Sequence, residues 1–240
     1  MGEKKFNSKR FNFRLLLEFL GENLKILVAA DFHGAATAES NLSKFLERGY
    51  DCAILIGDLT EFGPPEVAES ILSLVESFKI PVLSVPGNCD PKDILAILDR
   101  HGANLHGKCR KIGDVIFVGL GGSNITPFRT PFELTEAEIL EELSALLEGV
   151  KGRWALVTHA PPFETKLDEL PSGTHVGSKS VRQIVEEKQP LLLACGHIHE
   201  ARAIDRIKNT IMVNPGPISK GFAAEVVITE NDVHVELLQL

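Results

Sequence analysis

Leu191–Glu200 reads Leu-Leu-Leu-Ala-Cys-Gly-His-Ile-His-Glu. A short apolar run that meets a glycine reads as a buried strand giving way to a loop. Imidazoles at i and i+2 lie on the same side of an extended chain, so His197 and His199 can face one pocket. Neutral imidazole is a common metal ligand, which makes a metal ion the first functional expectation. The plainer alternative is a polar loop with solvated histidines.

The same grammar recurs outward from this stretch. Strands are expected at Leu24–Ala30, Cys52–Ile56, Pro81–Val85, Val115–Leu120, Trp154–Thr158 and Leu191–Cys195. Between them lie helical patterns: Ala38 to Arg48 capped by Thr37, Pro64-Pro65 to about Phe78, one opening at Pro91, one capped by the Thr135/Glu138 capping box, and one from Ser178 to about Lys188. Beyond Ala201 the pattern changes to short strands at Ala201–Ile207, Thr210–Val213, Ala223–Thr229 and Val233–Leu238. Lys208-Asn209 and Glu230-Asn231-Asp232 are turns between them. The expected fold class is α/β: β-α alternation followed by a C-terminal antiparallel meander. No repeat or convincing linker interrupts residues 23–240, which read as one domain.

Composition narrows the function classes. The 240 residues are 44% hydrophobic and 24% charged, ordinary for a soluble globular chain long enough to bury a full core. A net charge of −8 argues against a general nucleic-acid binder or nuclease, which needs a basic face for phosphates. Cys52, Cys89, Cys109 and Cys195 form no Cys-x-x-Cys pair, the pattern of a reducing, cytoplasmic protein. No apolar run approaches the ~18 residues of a membrane span. Residues 1–22 form a basic, amphipathic extension with Lys4, Lys5, Lys9, Arg10 and Arg14 ahead of Leu15–Leu20. Glu18 and the missing cleavage site argue against a signal peptide. A helix over about residues 12–20 that packs on the domain or makes a homo-oligomer contact is the expectation, with peripheral membrane contact as the minor alternative.

Position carries the chemistry. Asp31, His33, Asp58, Asn88, His159, His197 and His199 all fall just past the carboxyl end of an expected strand. In open α/β sheets that edge is where ligands bind. Imidazole, carboxylate and amide donors without a thiolate requirement suit Mn, Fe, Co, Ni or Zn. Seven groups exceed the needs of one tetrahedral ion, so two divalent ions sharing a carboxylate is the economical arrangement. Such a pair, about 3.5–4 Å apart, can hold a bridging hydroxide and clamp phosphoryl oxygens during in-line attack.

Asp31-x-His33, Gly57-Asp58, Gly87-Asn88-x-Asp90, His159 and Gly196-His197-x-His199 resemble, in order, the five blocks of the calcineurin-like metallophosphoesterases. The size and the ending Asn214-Pro215-Gly216-Pro217 are most similar to the small Icc-related phosphoesterases. The resemblance implies a four-layer α/β-β/α sandwich. It also implies one metal on Asp31, His33, Asp58 and His199, and a second on Asp58, Asn88, His159 and His197, with Asp58 bridging. The implied reaction is attack of metal-bound hydroxide on a phosphodiester, or a monoester, of a small-molecule substrate, with Asp58, Asn88, Cys89, Asp90 and His159 at the reacting centre. Many members carry a histidine where this chain has Cys89, oriented by the following Asp. A neutral thiol copies imidazolium poorly, which favours good leaving groups. It also motivates the alternative of a metal-binding scaffold with weak or lost catalysis. Asn124, Arg129, His175 and Lys179 are weaker expectations for substrate contact. His101, His106 and His234 read as surface or structural.

Overall fold

The computed structural model describes residues 23–240; the expectations for residues 1–22 lie outside them. The elements are β1 (Leu24–Ala30), α1 (Ala36–Leu46), β2 (Cys52–Ile56), α2 (Val67–Ser77), β3 (Val82–Val85), α3 (Ile94–Arg100), β4 (Lys108–Ile112) and β5 (Val115–Leu120). There follow β6 (Ser123–Asn124), β7 (Glu133–Leu134), α4 (Glu136–Leu147), β8 (Trp154–Thr158), α5 (Lys179–Lys188) and β9 (Leu192–Ala194). The chain ends in β10 (Ala203–Ile207), β11 (Thr210–Asn214), a 3-10 turn at Ile218–Lys220, β12 (Phe222–Ile228) and β13 (Val233–Gln239).

Two sheets face each other, one ordered β13-β12-β1-β2-β3 and the other β10-β11-β9-β8-β5-β4. The alternation of side chains along each strand dictates the layers. Ile26 and Val28 of β1, with Ile54 and Ile56 of β2, meet Phe117, Ala155, Val157, Leu192 and Ala194 of the second sheet. Their neighbours Leu27, Ala29, Ala53 and Leu55 turn the other way, onto Leu42, Phe45, Ile71, Val75 and Leu98 of α1–α3. On the far face of the second sheet, Val118, Leu156 and Leu193 pack on Ile139 and Leu143 of α4 and Val181 and Ile184 of α5. Helices, sheet, sheet, helices: this is the four-layer sandwich.

Several local expectations are refined. Thr135 accepts the Glu138 amide while the Glu138 side chain takes the Thr135 amide, completing the capping box, and Ser178 caps α5 through the Val181 amide. Thr37 does not cap α1, because the helix begins at Ala36; its hydroxyl donates to the Ser219 carbonyl at 3.0 Å instead. Pro64-Pro65 forms a turn before α2, with the Val67 and Ala68 amides donating to the two proline carbonyls. Strand β4, Lys-Cys-Arg-Lys-Ile, was not foreseen. It is an outer strand with Cys109, Arg110 and Lys111 exposed, so it lacks an apolar pattern while still pairing with β5.

The C-terminal strands are antiparallel hairpins, β10-β11 and β12-β13, one in each sheet. Pro215–Gly221 carries the chain across from β11, which pairs in parallel with β9, to β12, which pairs antiparallel with β1. This crossing passes over the strand ends that hold the candidate site.

Candidate metal centre

Asp31, Asp58, Asn88, His159 and His197 follow β1, β2, β3, β8 and β9 at the carboxyl edges of the two sheets. Asp31, His33, Asp58 and His197 all have positive φ, 57°, 50°, 46° and 73°. Left-handed backbone at four polar residues of one cluster is strain of the kind that functional sites hold. Close packing fixes it. A Cβ on Gly87 would stand 2.0 Å from Asp58 Oδ1, and one on Gly57 would stand 2.3 Å from His159 Nδ1, so both positions require glycine.

The side chains converge in three overlapping groups: Asp31, His33 and His199; His33, Asp58 and Cys89; and Asp58, His159 and His197. Within each, the ligand atoms lie within 4.8 Å of one another. Asp58 Oδ2 stands 3.6 Å from His33 Nε2 and 3.5 Å from His159 Nε2, between the two histidine sets. His199 Nε2 is 3.0 Å from His33 Nε2 and 3.8 Å from Asp31 Oδ1. Asn88 spends its amide N–H on Thr130 Oγ1 at 3.1 Å, leaving its Oδ1 3.0 Å from His159 Nε2.

The donor chemistry fits divalent ions. Asp31 is wholly buried, and its Oδ2 has no hydrogen-bond partner, an expensive condition for a carboxylate without a cation. Burial raises the Asp31 carboxyl above its ordinary pKa; His159 and His199 oppose this, and Asp58 adds to it. Burial pushes Asp58 upward too, but the charge and hydrogen bond of His159, then His33 and the Cys89 amide, hold it well below the usual carboxylate range. Burial alone would lower His159, yet Asp58 beside it raises the imidazole to about 9. His197 is pushed down to about 3 by burial and by His159. Carboxylate, amide and imidazole oxygens and nitrogens, with Asp58 held anionic and His197 held neutral, form a donor set matched to hard and borderline dications.

The third block behaves differently from expectation. Both oxygens of buried Asp90 are occupied by backbone amides, those of Leu59 (3.1 Å), Thr60 (2.8 Å) and Gly87 (2.8 Å). Asp90 therefore ties the Asp58 loop to the Asn88 loop instead of orienting the side chain at 89. Cys89 donates its backbone amide to Asp58 Oδ1 at 2.8 Å, and burial followed by Asp58 pushes its thiol pKa up, leaving it neutral.

The four expected substrate contacts are spread more widely. Asn124 donates to the Val176 carbonyl, and its buried Oδ1 is unpartnered. Exposed Arg129 adjoins Thr130, the partner of Asn88. His175 Nδ1 donates to Asp168 Oδ1 at 2.8 Å and Lys179 Nζ lies over the Phe163 ring, so both are engaged with loop 163–178. Three supporting residues go beyond the site residues expected from the sequence, and of these only Asn214 belongs to a quoted motif, the ending Asn214-Pro215-Gly216-Pro217. Glu61 Oε2 contacts His33 Nδ1, Thr130 holds the Asn88 amide, and Asn214 donates to the Ile198 carbonyl at 2.9 Å between the two loop histidines. Glu61 sits three residues past Asp58, a signal that needed the loop's shape to interpret.

Residues 24–232 match the model of the calcineurin-like phosphoesterase superfamily domain. The chain belongs to this superfamily. An uncharacterized protein of Methanocaldococcus jannaschii is 43% identical over 201 residues, covering 82% of this chain and 89% of that one. A Thermus thermophilus crystal structure shares the fold with a TM-score of 0.71 at 18% identity, covering 90% of this chain and 98% of that one. The purple acid phosphatase PPD1 of yellow lupin gives 0.58 at 13% identity, covering 92% of this chain and 52% of that one. At those identities both likenesses speak for the sandwich. Among the described residues no helix is long and apolar enough to cross a membrane.

Proposed function

We propose that the chain is a dinuclear metal-dependent phosphohydrolase that acts on phosphodiesters. The observation that supports this most directly is the position of Asp58, whose Oδ2 lies 3.6 Å from His33 and 3.5 Å from His159. One carboxylate is thereby common to two donor sets, Asp31-His33-His199 and Asn88-His159-His197. Bound divalent ions would supply there a water of lowered pKa and positive charge opposite the phosphoryl oxygens.

The protein's own groups do the rest. Thr130 turns the Asn88 carbonyl oxygen toward His159, and Asn214 fixes the backbone between His197 and His199. Cys89 offers a neutral thiol, a poor proton donor for a departing alkoxide. Esters whose leaving group departs without protonation are therefore the favoured substrates.

The test is hydrolysis of bis(p-nitrophenyl) phosphate and p-nitrophenyl phosphate by protein reconstituted separately with Mn, Co, Ni and Zn. Diester turnover that Asp58→Asn abolishes, together with metal content, supports the reading. Bound metal without turnover of either ester would instead favour the scaffold reading that Cys89 motivates.

A further inference from the structure

Among the described residues, the exposed large hydrophobic side chains are Phe62, Ile125, Phe128 and Leu240. Phe62 lies on the loop after β2, and Ile125 and Phe128 lie on the loop between β6 and β7; both loops are bonded to Asn88 or Cys89 of the candidate metal centre. Phe128 is 81% exposed and Phe62 58%. Rings left in water forgo the gain of burial, and apolar groups gathered at one rim mark a binding surface.

The two phenylalanine loops share one anchor. The Phe62 amide donates to the Cys89 carbonyl and the Phe132 amide to the Asn88 carbonyl, each at 3.1 Å. Thr130 holds the Asn88 side chain at 3.1 Å. Phe128 is two residues from Thr130, a span of at most about 7 Å. The loop that carries it is braced: Glu133 Oε1 accepts from Thr126 Oγ1, Thr130 N and Thr130 Oγ1, and Thr126 Oγ1 accepts the Phe128 amide. Phe62 has a φ of 59°, unusual for a bulky residue, so its place is imposed by its anchors. The backbone segments that carry both rings are therefore tied to Asn88-Cys89, at the candidate metal centre.

We propose that Phe62 and Phe128 form an aromatic rim beside the metal centre that selects phosphoesters carrying a flat aromatic group, an aryl ring or a nucleobase. The proposal rests on the phosphoesterase reading, but it concerns recognition of the organic group and is independent of leaving-group chemistry. Aromatic rings gain from offset or edge-on contact with phenylalanine beyond their area, which an alkyl arm does not. A bilayer is the less suitable occupant, because Glu61 and Glu66 flank Phe62 and would be repelled by anionic lipid.

The test compares calorimetric binding of phenyl phosphate and methyl phosphate to the metal-reconstituted full chain. The wild type is expected to bind the phenyl ester about tenfold more tightly, with Phe62→Ala and Phe128→Ala each reducing the preference about fivefold and Phe128→Trp preserving it. Equal binding of the two esters, or alanine variants that keep the wild-type preference, would overturn the rim. Hydrolysis is read separately with phenyl and methyl p-nitrophenyl phosphate, which share a leaving group. Loss of turnover with the binding preference intact would remove the hydrolase reading and leave the rim standing. Sedimentation with phosphatidylserine vesicles that Phe128→Ala abolishes would assign the rings to a membrane and overturn the proposal.

Discussion

The Nε2 atoms of His33 and His199 lie 3.0 Å apart with their rings edge-on at 75°. His159 and His197 form a second edge-on pair, centroids 5.1 Å apart, and Asp58 stands between the pairs. Two ring nitrogens facing each other at that distance share one proton or turn both lone pairs on a cation. The Gly196-His197-Ile198-His199 loop thus gives one histidine to each donor set. Elemental analysis of Mn-reconstituted protein is expected to find about two ions per chain in the wild type and about one in His197→Ala or His199→Ala. Asp58→Ala is expected to lose both. Equal depletion of both ions in each histidine variant would count against the split.

Glu61 reaches His33 through Nδ1, the nitrogen that faces away from the cluster. A carboxylate behind a ligating imidazole fixes its tautomer and makes it more basic, and removing such a partner typically costs 10–100-fold in metal affinity. Glu61→Ala should weaken the more sensitive of the two ions by about that factor in a chelator competition titration. Its thermal unfolding in chelator should match the wild type, because Glu61 is exposed. An unchanged affinity would show that His33 needs no support.

Asp90 is buried and receives three backbone amides from two loops. Asp90→Ala leaves those donors without partners, at about 1–3 kcal/mol each before relaxation or water entry. A loss on the order of 3 kcal/mol is expected in urea unfolding of the metal-free protein. Asp90→Asn, which keeps one acceptor oxygen, should lose less. Wild-type stability in the alanine variant would remove Asp90 from this role.

Much of this architecture was legible because the signals were periodic. Short apolar runs placed the six central strands, and polar side chains past five of those strand ends placed the rim. What the sequence left hidden depends on contacts between distant segments. Strand β4 is polar because only one of its edges is paired. The separation of the last four strands into two hairpins is set by pairing partners, β9 and β1, that no local pattern names. Asp90 reads as the companion of residue 89, yet its amide donors Leu59 and Thr60 come from another loop. Thr130 and Asn214 act on the site from segments far along the chain; no motif points to Thr130, and the Asn214-Pro215-Gly216-Pro217 ending marks Asn214 without revealing its bond to the Ile198 carbonyl.

His106 provides a pH signature outside the metal centre. Its ring packs edge-on against Phe132, and Nδ1 accepts the Gly121 amide at 2.9 Å, so the folded state needs the neutral imidazole. Burial, then Lys108 and Lys92, lowers its pKa from 6.5 to about 4. The unfolded chain therefore binds the proton more readily, and the stability contributed above pH 6.5 is lost as the pH falls toward 4. Between neutral pH and pH 5 the loss reaches about 2 kcal/mol at most, since the ring keeps some contact with water. His106→Asn retains an acceptor for the Gly121 amide without the titration. Urea unfolding of metal-free protein at pH 7 and pH 5 should show the wild type losing more stability than this variant. Parallel losses in the two proteins would assign the pH dependence to other groups.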